Sequence, residues 1–138
     1  MPKQYRGGKG RAEKPLTEAE RMYDEIDRTK DGIAVIKAKP DIENSHFPLY
    51  SNSPDTVYFA LDKNSGERHS IGIYKDYQLV EVINYDSVRG NHYHKWDVNP
   101  TLVRGKKTLK RDSGDYFNLT DKHKDLINKF NEWWNNRG

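Results

Sequence analysis

With 138 residues, 33% hydrophobic, 12% aromatic and a formal net charge of +3, the chain has room for one domain of ordinary size with a small, aromatic-rich core. Cysteine is absent, which excludes a disulfide framework, a thiolate metal site and a cysteine nucleophile. No apolar run is long enough to span a bilayer and no hydrophobic leader follows Met1, so a soluble, cytoplasmic protein without a membrane partner is expected.

The charge is unevenly placed. Residues 1–14 carry a net +4 and residues 89–111 a net +6, which leaves −7 for the remainder. Like charge gathered in two places favours an anionic partner such as nucleic acid. A solvated, lysine-rich loop would give the same pattern.

In chain order, residues 1–14 hold three glycines within residues 7–10 and show no period. They read as a flexible basic arm, either touching a phosphate backbone or inert. Residues 15–138 read as a single α+β domain. Thr17-Glu18-Ala19-Glu20 is a capping box, and Ala19, Met22, Tyr23 and Ile26 share one helical face. This predicts an N-terminal helix that fades near Asp31-Gly32. Ile33–Ile36 reads as a short buried strand, and Pro40 and Pro48 mark an irregular connection over 38–55.

From Thr56 the period becomes two. Thr56–Asp62, Glu67–Tyr74 and Tyr77–Tyr85 alternate apolar and polar residues, with turns at Lys63–Gly66 and Lys75-Asp76. Residues 91–97 make a fourth strand, and Tyr116-Phe117 a short fifth. The segment Pro100–Arg111 is basic without a clear period. Thr120 then caps a C-terminal helix to Asn136, whose stripe is Leu126, Ile127, Phe130, Trp133 and Trp134. The expected architecture is one antiparallel sheet of four to five strands, a meander, with an N-terminal and a C-terminal helix packed on it.

Residues 90–96, G-N-H-Y-H-K-W, carry the chemistry. On a strand His92, His94 and Trp96 share one face and Tyr93 and Lys95 the other, with the two imidazole attachment points about 6.6 Å apart. Three readings stay open. The pair can serve as acid and base for metal-free RNA cleavage, where histidine supplies both protonation states near neutrality. Arg89, Lys95 and the cluster Arg104, Lys106, Lys107, Lys110 and Arg111 would then bind phosphate, and Trp96 would stack a base. The pair can instead be two ligands of a metal whose third would come from Asp86, Asp97 or His69. The H-x-H pattern of cupins fails, however, because K-W-D-V-N at 95–99 lacks the glutamate. Or the two residues are neighbours on an edge strand with no joint role. Asp86 would orient one histidine, or simply make the turn after a strand. No metal and no cofactor is assigned.

The order E-V-I-N-Y-D at 81–86, G-N-H-Y-H at 90–94, D-Y-F-N-L-T at 115–120 and L-I-N-K-F-N-E-W-W at 126–134 resembles the TumE-type toxins of bacterial toxin–antitoxin pairs, over about residues 78–137. In that family a strand ending in Tyr-Asp leads through a glycine-containing turn to H-x-H, and a helix with late tryptophan closes the chain. The resemblance implies that Asp86, His92 and His94 match the family's polar motif. It also implies a growth-inhibiting toxin that acts on nucleic acid or translation and is neutralised by an antitoxin protein. Residues 1–55 have no counterpart there, and 99–111 is longer than the family requires.

The expected function is thus a toxin-like, metal-independent ribonuclease with His92, His94 and Asp86 in its site. The alternative is a non-catalytic nucleic-acid-binding module, or an accessory protein of a phage or mobile element.

Overall fold

A computed structural model describes residues 22–40, 47–98, 109–112 and 114–137. Seven strands form one sheet in chain order: β1 (Tyr23–Arg28), β2 (Ala34–Ala38), β3 (Asp55–Leu61), β4 (Arg68–Lys75), β5 (Gln78–Asn84), β6 (His92–Val98) and β7 (Leu109–Arg111). The helix α1 (Asp121–Asn136) follows. All neighbours are antiparallel except β2 and β3, which run parallel.

The expected four-to-five-strand antiparallel meander with two helices is corrected: β3 to β6 are consecutive antiparallel strands inside a larger, mixed sheet. The sheet is mixed and has seven strands, and α1 is the single helix element among the described residues. Residues expected in an N-terminal helix instead form β1, which pairs with β2 from Tyr23 opposite Ala38 to Arg28 opposite Ala34. Their helical period rested on few apolar positions, and Ile26 is 47% exposed in the strand. Pairing with a buried neighbour outweighs so weak a local preference. Trp133 Nε1 of α1 also holds this strand, donating to Asp27 at 2.8 Å. The arm at 1–14 and the capping box at 17–20 lie outside the described residues. Tyr116 is not in a fifth strand of its own. It makes an isolated bridge to Tyr93.

Side chains alternate across a sheet, so register decides what each face carries. One cross-strand row runs Val35, Phe59, Ile71, Ile83 and Tyr93. It packs under Leu126, Ile127 and Phe130 of α1. The adjoining rows point the other way. One is Ile36, Ala60, Ser70, Asn84 and His92, and the other is Ala34, Tyr58, Gly72, Val82 and His94. The histidines therefore lie on the face opposite α1. Small residues in these rows make room for Phe47, which is 6% exposed. A Cβ on Gly72 would meet the Phe47 ring at 2.9–3.0 Å. Gly72→Ala is accordingly expected to lower unfolding stability in urea by about 1–3 kcal/mol, with part recovered when Phe47→Leu is added. Unchanged stability would mean that Phe47 does not cover this face.

The predicted cap of α1 is present with an unexpected partner. Thr120 Oγ1 accepts from the His123 amide at 3.2 Å, and His123 Nδ1 accepts from the Thr120 amide at 3.1 Å. Histidine thus stands where a capping box usually has glutamate. With Nδ1 accepting, Nε2 carries the proton and donates to Glu81 at 3.0 Å. No helix among the described residues is long and apolar enough to cross a membrane.

Candidate active site

The alternation of β6 places His92, His94 and Trp96 on one face, as their spacing requires. Both imidazoles are buried, at 2% and 3% exposure, with centroids 5.0 Å apart and planes at 88°. They line a cavity of about 420 Å³ together with Phe47, Asp86, Arg89 and Arg111, within the usual size of a small-ligand site.

Backbone carbonyls fix both rings. His92 Nδ1 lies 3.0 Å from Gly90 O, and His94 Nδ1 lies 2.9 Å from Gly114 O. A carbonyl only accepts, so each Nδ1 carries the proton and each Nε2 is the basic atom. Gly90, at φ +96°, permits the tight turn that brings its carbonyl back to His92. Gly114 is carried to His94 by the two backbone bonds between Tyr116 and Tyr93, at 2.9 and 3.0 Å.

Asp115 is the carboxylate at the histidines. Its Oδ1 lies 3.2 Å from His94 Nδ1, and its Oδ2 accepts from Arg89 at 2.9 Å. That bond from Arg89 holds the Asp115 carboxyl below its ordinary value, against the opposing effect of burial. Asp86 does not take the orienting role. It accepts from the amides of Val88 and Arg89, both at 2.9 Å, and from Arg89 Nε at 3.0 Å. These bonds, the amides first, hold its pKa down at about 2. Asp86 is thus the turn residue of the alternative reading, and through Arg89 it braces Asp115.

This arrangement gives acid titration a sign. Asp86 ionises at a lower pH folded than unfolded, where its ordinary value is 3.8. Its contribution to stability is complete above 3.8 and is lost as pH falls toward 2. The parent is expected to lose stability more steeply than Asp86→Asn across that window. Parallel unfolding curves would remove the assigned role.

Register also sorts the basic residues. Arg111 pairs with Trp96 and Lys110 with Asp97, so Arg111 shares the histidine face and Lys110 and Lys95 belong to the other. Arg111 Nη2 is 2.9 Å from both ring nitrogens of His94. An atom so close to both lies against the ring face, not along the lone pair of either nitrogen. Arg89 approaches His92 Nε2 at 3.4 Å. Lys95 sits over Tyr116, 4.6 Å from the ring centre, away from the histidines. Trp96 is partly buried against the apolar cluster on the face opposite α1 that includes Phe47 and Leu79. Arg104, Lys106 and Lys107 lie outside the described residues.

Burial is the first cause that lowers the His94 pKa, helped by the nearby charges of Arg111 and His92; Gly114 and Asp115 oppose it. His94 is therefore a neutral base at neutral pH. Donor atoms of His92, His94 and Asp115 lie within 4.8 Å of one another, and these residue types could bind zinc. Yet Arg89 already pairs with Asp115, and Arg111 lies on His94. Two guanidinium groups thus already occupy the approaches to these donor atoms, and with Asp86 and Asp115 ionised the formal charge around the histidines is balanced.

Sequence reasoning passed over Asp115 and Phe117. Both stood in the D-Y-F stretch, but only the pairing of Tyr116 with Tyr93 brings them to the histidines. Comparison of the chain with family models, curated proteins and solved structures gives no match.

Proposed function

We propose that the chain is a toxin-like ribonuclease that cleaves RNA by metal-independent acid–base chemistry. The observation that supports this reading is the histidine pair: two buried rings, both held through Nδ1 by carbonyls, facing one cavity beside Arg89 and Arg111.

The roles follow from the surroundings. His94 Nε2 takes the proton of a ribose 2′-hydroxyl. The 2′-oxygen attacks the adjacent phosphorus, and the bond from phosphorus to the 5′-oxygen breaks. His92, the second imidazole at the cavity, takes the part of the acid and supplies the proton to that leaving oxygen. The products are a 2′,3′-cyclic phosphate and a free 5′-hydroxyl, and the two histidines exchange their protonation states. Asp115 stabilises the imidazolium that forms on His94, since it faces the protonated Nδ1. Arg111, with its side chain 47% exposed, meets the charge that grows on the phosphorane. Arg89 is held by two carboxylates and acts mainly as their brace.

Such an enzyme would act on cytoplasmic RNA and need an antitoxin partner to spare its host. Incubation of the purified chain with total RNA in excess chelator is expected to degrade the RNA. Degradation lost on adding chelator would mean metal chemistry. A mobility shift without cleavage would leave a nucleic-acid-binding module.

A further inference from the structure

Phe117 stands beside the histidines and has no part in the proton transfers. It is 47% exposed, a large share for an aromatic ring. Its ring centre lies 5.0 Å from that of His92, with planes tilted by 36°. The guanidinium carbon of Arg89 is 6.0 Å from the same ring. The backbone just before it is pinned to β6 through Tyr116, which fixes where Phe117 leaves the sheet edge. Trp96, the residue expected to stack a base, is partly buried against the cluster around Phe47 and has less surface to offer.

We propose that Phe117 is the stacking platform for a nucleobase of single-stranded RNA whose phosphate lies at His92 and His94. This rests on the ribonuclease reading and adds the form of its substrate. Every base has a π-face, so an exposed ring takes any of them. In a duplex those faces are already stacked on neighbouring bases, and sequence readers of RNA turn to single strands for this reason. The Arg89 guanidinium, held by Asp86 and Asp115, lies beside the same ring. The selectivity is therefore for unpaired RNA, with little preference among bases at this position.

Binding is measured with short 2′-O-methyl oligonucleotides, which lack the attacking hydroxyl, and with the same strands made abasic at one position at a time. For the parent, one position is expected to be sensitive, with roughly tenfold weaker binding when its base is missing. In Phe117→Ala the intact strand binds roughly tenfold more weakly and that position loses its sensitivity, because base and ring are two ends of one contact. Phe117→Trp restores both. A purely structural Phe117 would weaken all strands alike and leave the sensitivity in place. That result, or no sensitive position, or no binding at all, overturns the proposal. Cleavage of ordinary RNA is scored separately. Coupling without cleavage keeps the platform and removes the ribonuclease; cleavage without coupling does the reverse.

Discussion

His94→Ala is expected to slow single-turnover RNA cleavage by a factor of about 100 to 10,000, the usual contribution of a positioned acid or base. His92→Ala is expected to fall in the same range, with the double variant little worse than either, because the two act on one proton relay. Far-UV circular dichroism should show the sheet intact in both. The pH dependence carries a sign. His94 works when neutral, and its pKa lies below the ordinary 6.5, so the acid side of the rate profile should fall only beneath the ordinary histidine range. Stability follows the same group. As pH drops below 6.5 the unfolded chain takes up a proton before folded His94 does, so stability declines from there toward the depressed folded value. Above 6.5 the residue is neutral in both states and adds no pH dependence, and His94→Ala should lack the decline below it. Wild-type rates in both alanine variants would remove the pair from the chemistry.

The largest effect on stability is expected at Phe130. Its side chain is fully buried and stacks on Phe59 at 4.5 Å with planes 6° apart, while Tyr85 meets it edge-on at 5.7 Å. This ring joins α1 to the central row of the sheet. Phe130→Ala should cost about 3–5 kcal/mol, transfer and cavity terms together, out of a total that for most domains is only about 5–15 kcal/mol. Phe130→Leu should cost less, since it keeps most of the volume. Equilibrium unfolding in urea measures both. A loss below about 1 kcal/mol for Phe130→Ala would mean that the site collapses freely, and that α1 is not anchored where Phe59 and Tyr85 place it.

What could be read from the residues depended on how local the cause was. The strands β3 to β6 were legible because apolar and polar residues alternate within each and short turns join them. The helix was legible from Thr120 and an apolar stripe, Leu126 to Trp134, that runs for about two and a half turns. β1 was misread as helix because only Tyr23 of its six residues is buried, so burial left no period to find. The parallel partnership of β2 with β3 is set by a long connection rather than by a turn. β7 has three residues, too few for any period. The shared face of His92, His94 and Trp96 followed from alternation alone. The site's carboxylate did not, since Asp115 reaches His94 from another part of the chain, and the nearer Asp86 was the more visible candidate. The same long-range pairing hid Phe117.

The histidine chemistry is tested most directly by a strand of deoxynucleotides with a single ribose, incubated with the metal-stripped protein. One cut is expected, immediately 3′ of the ribose, leaving a 2′,3′-cyclic phosphate on one fragment and a 5′-hydroxyl on the other. Cutting at deoxynucleotide positions, ends bearing a 5′-phosphate, or an intact strand under conditions where it binds would each contradict proton transfer between His94, the 2′-hydroxyl and His92.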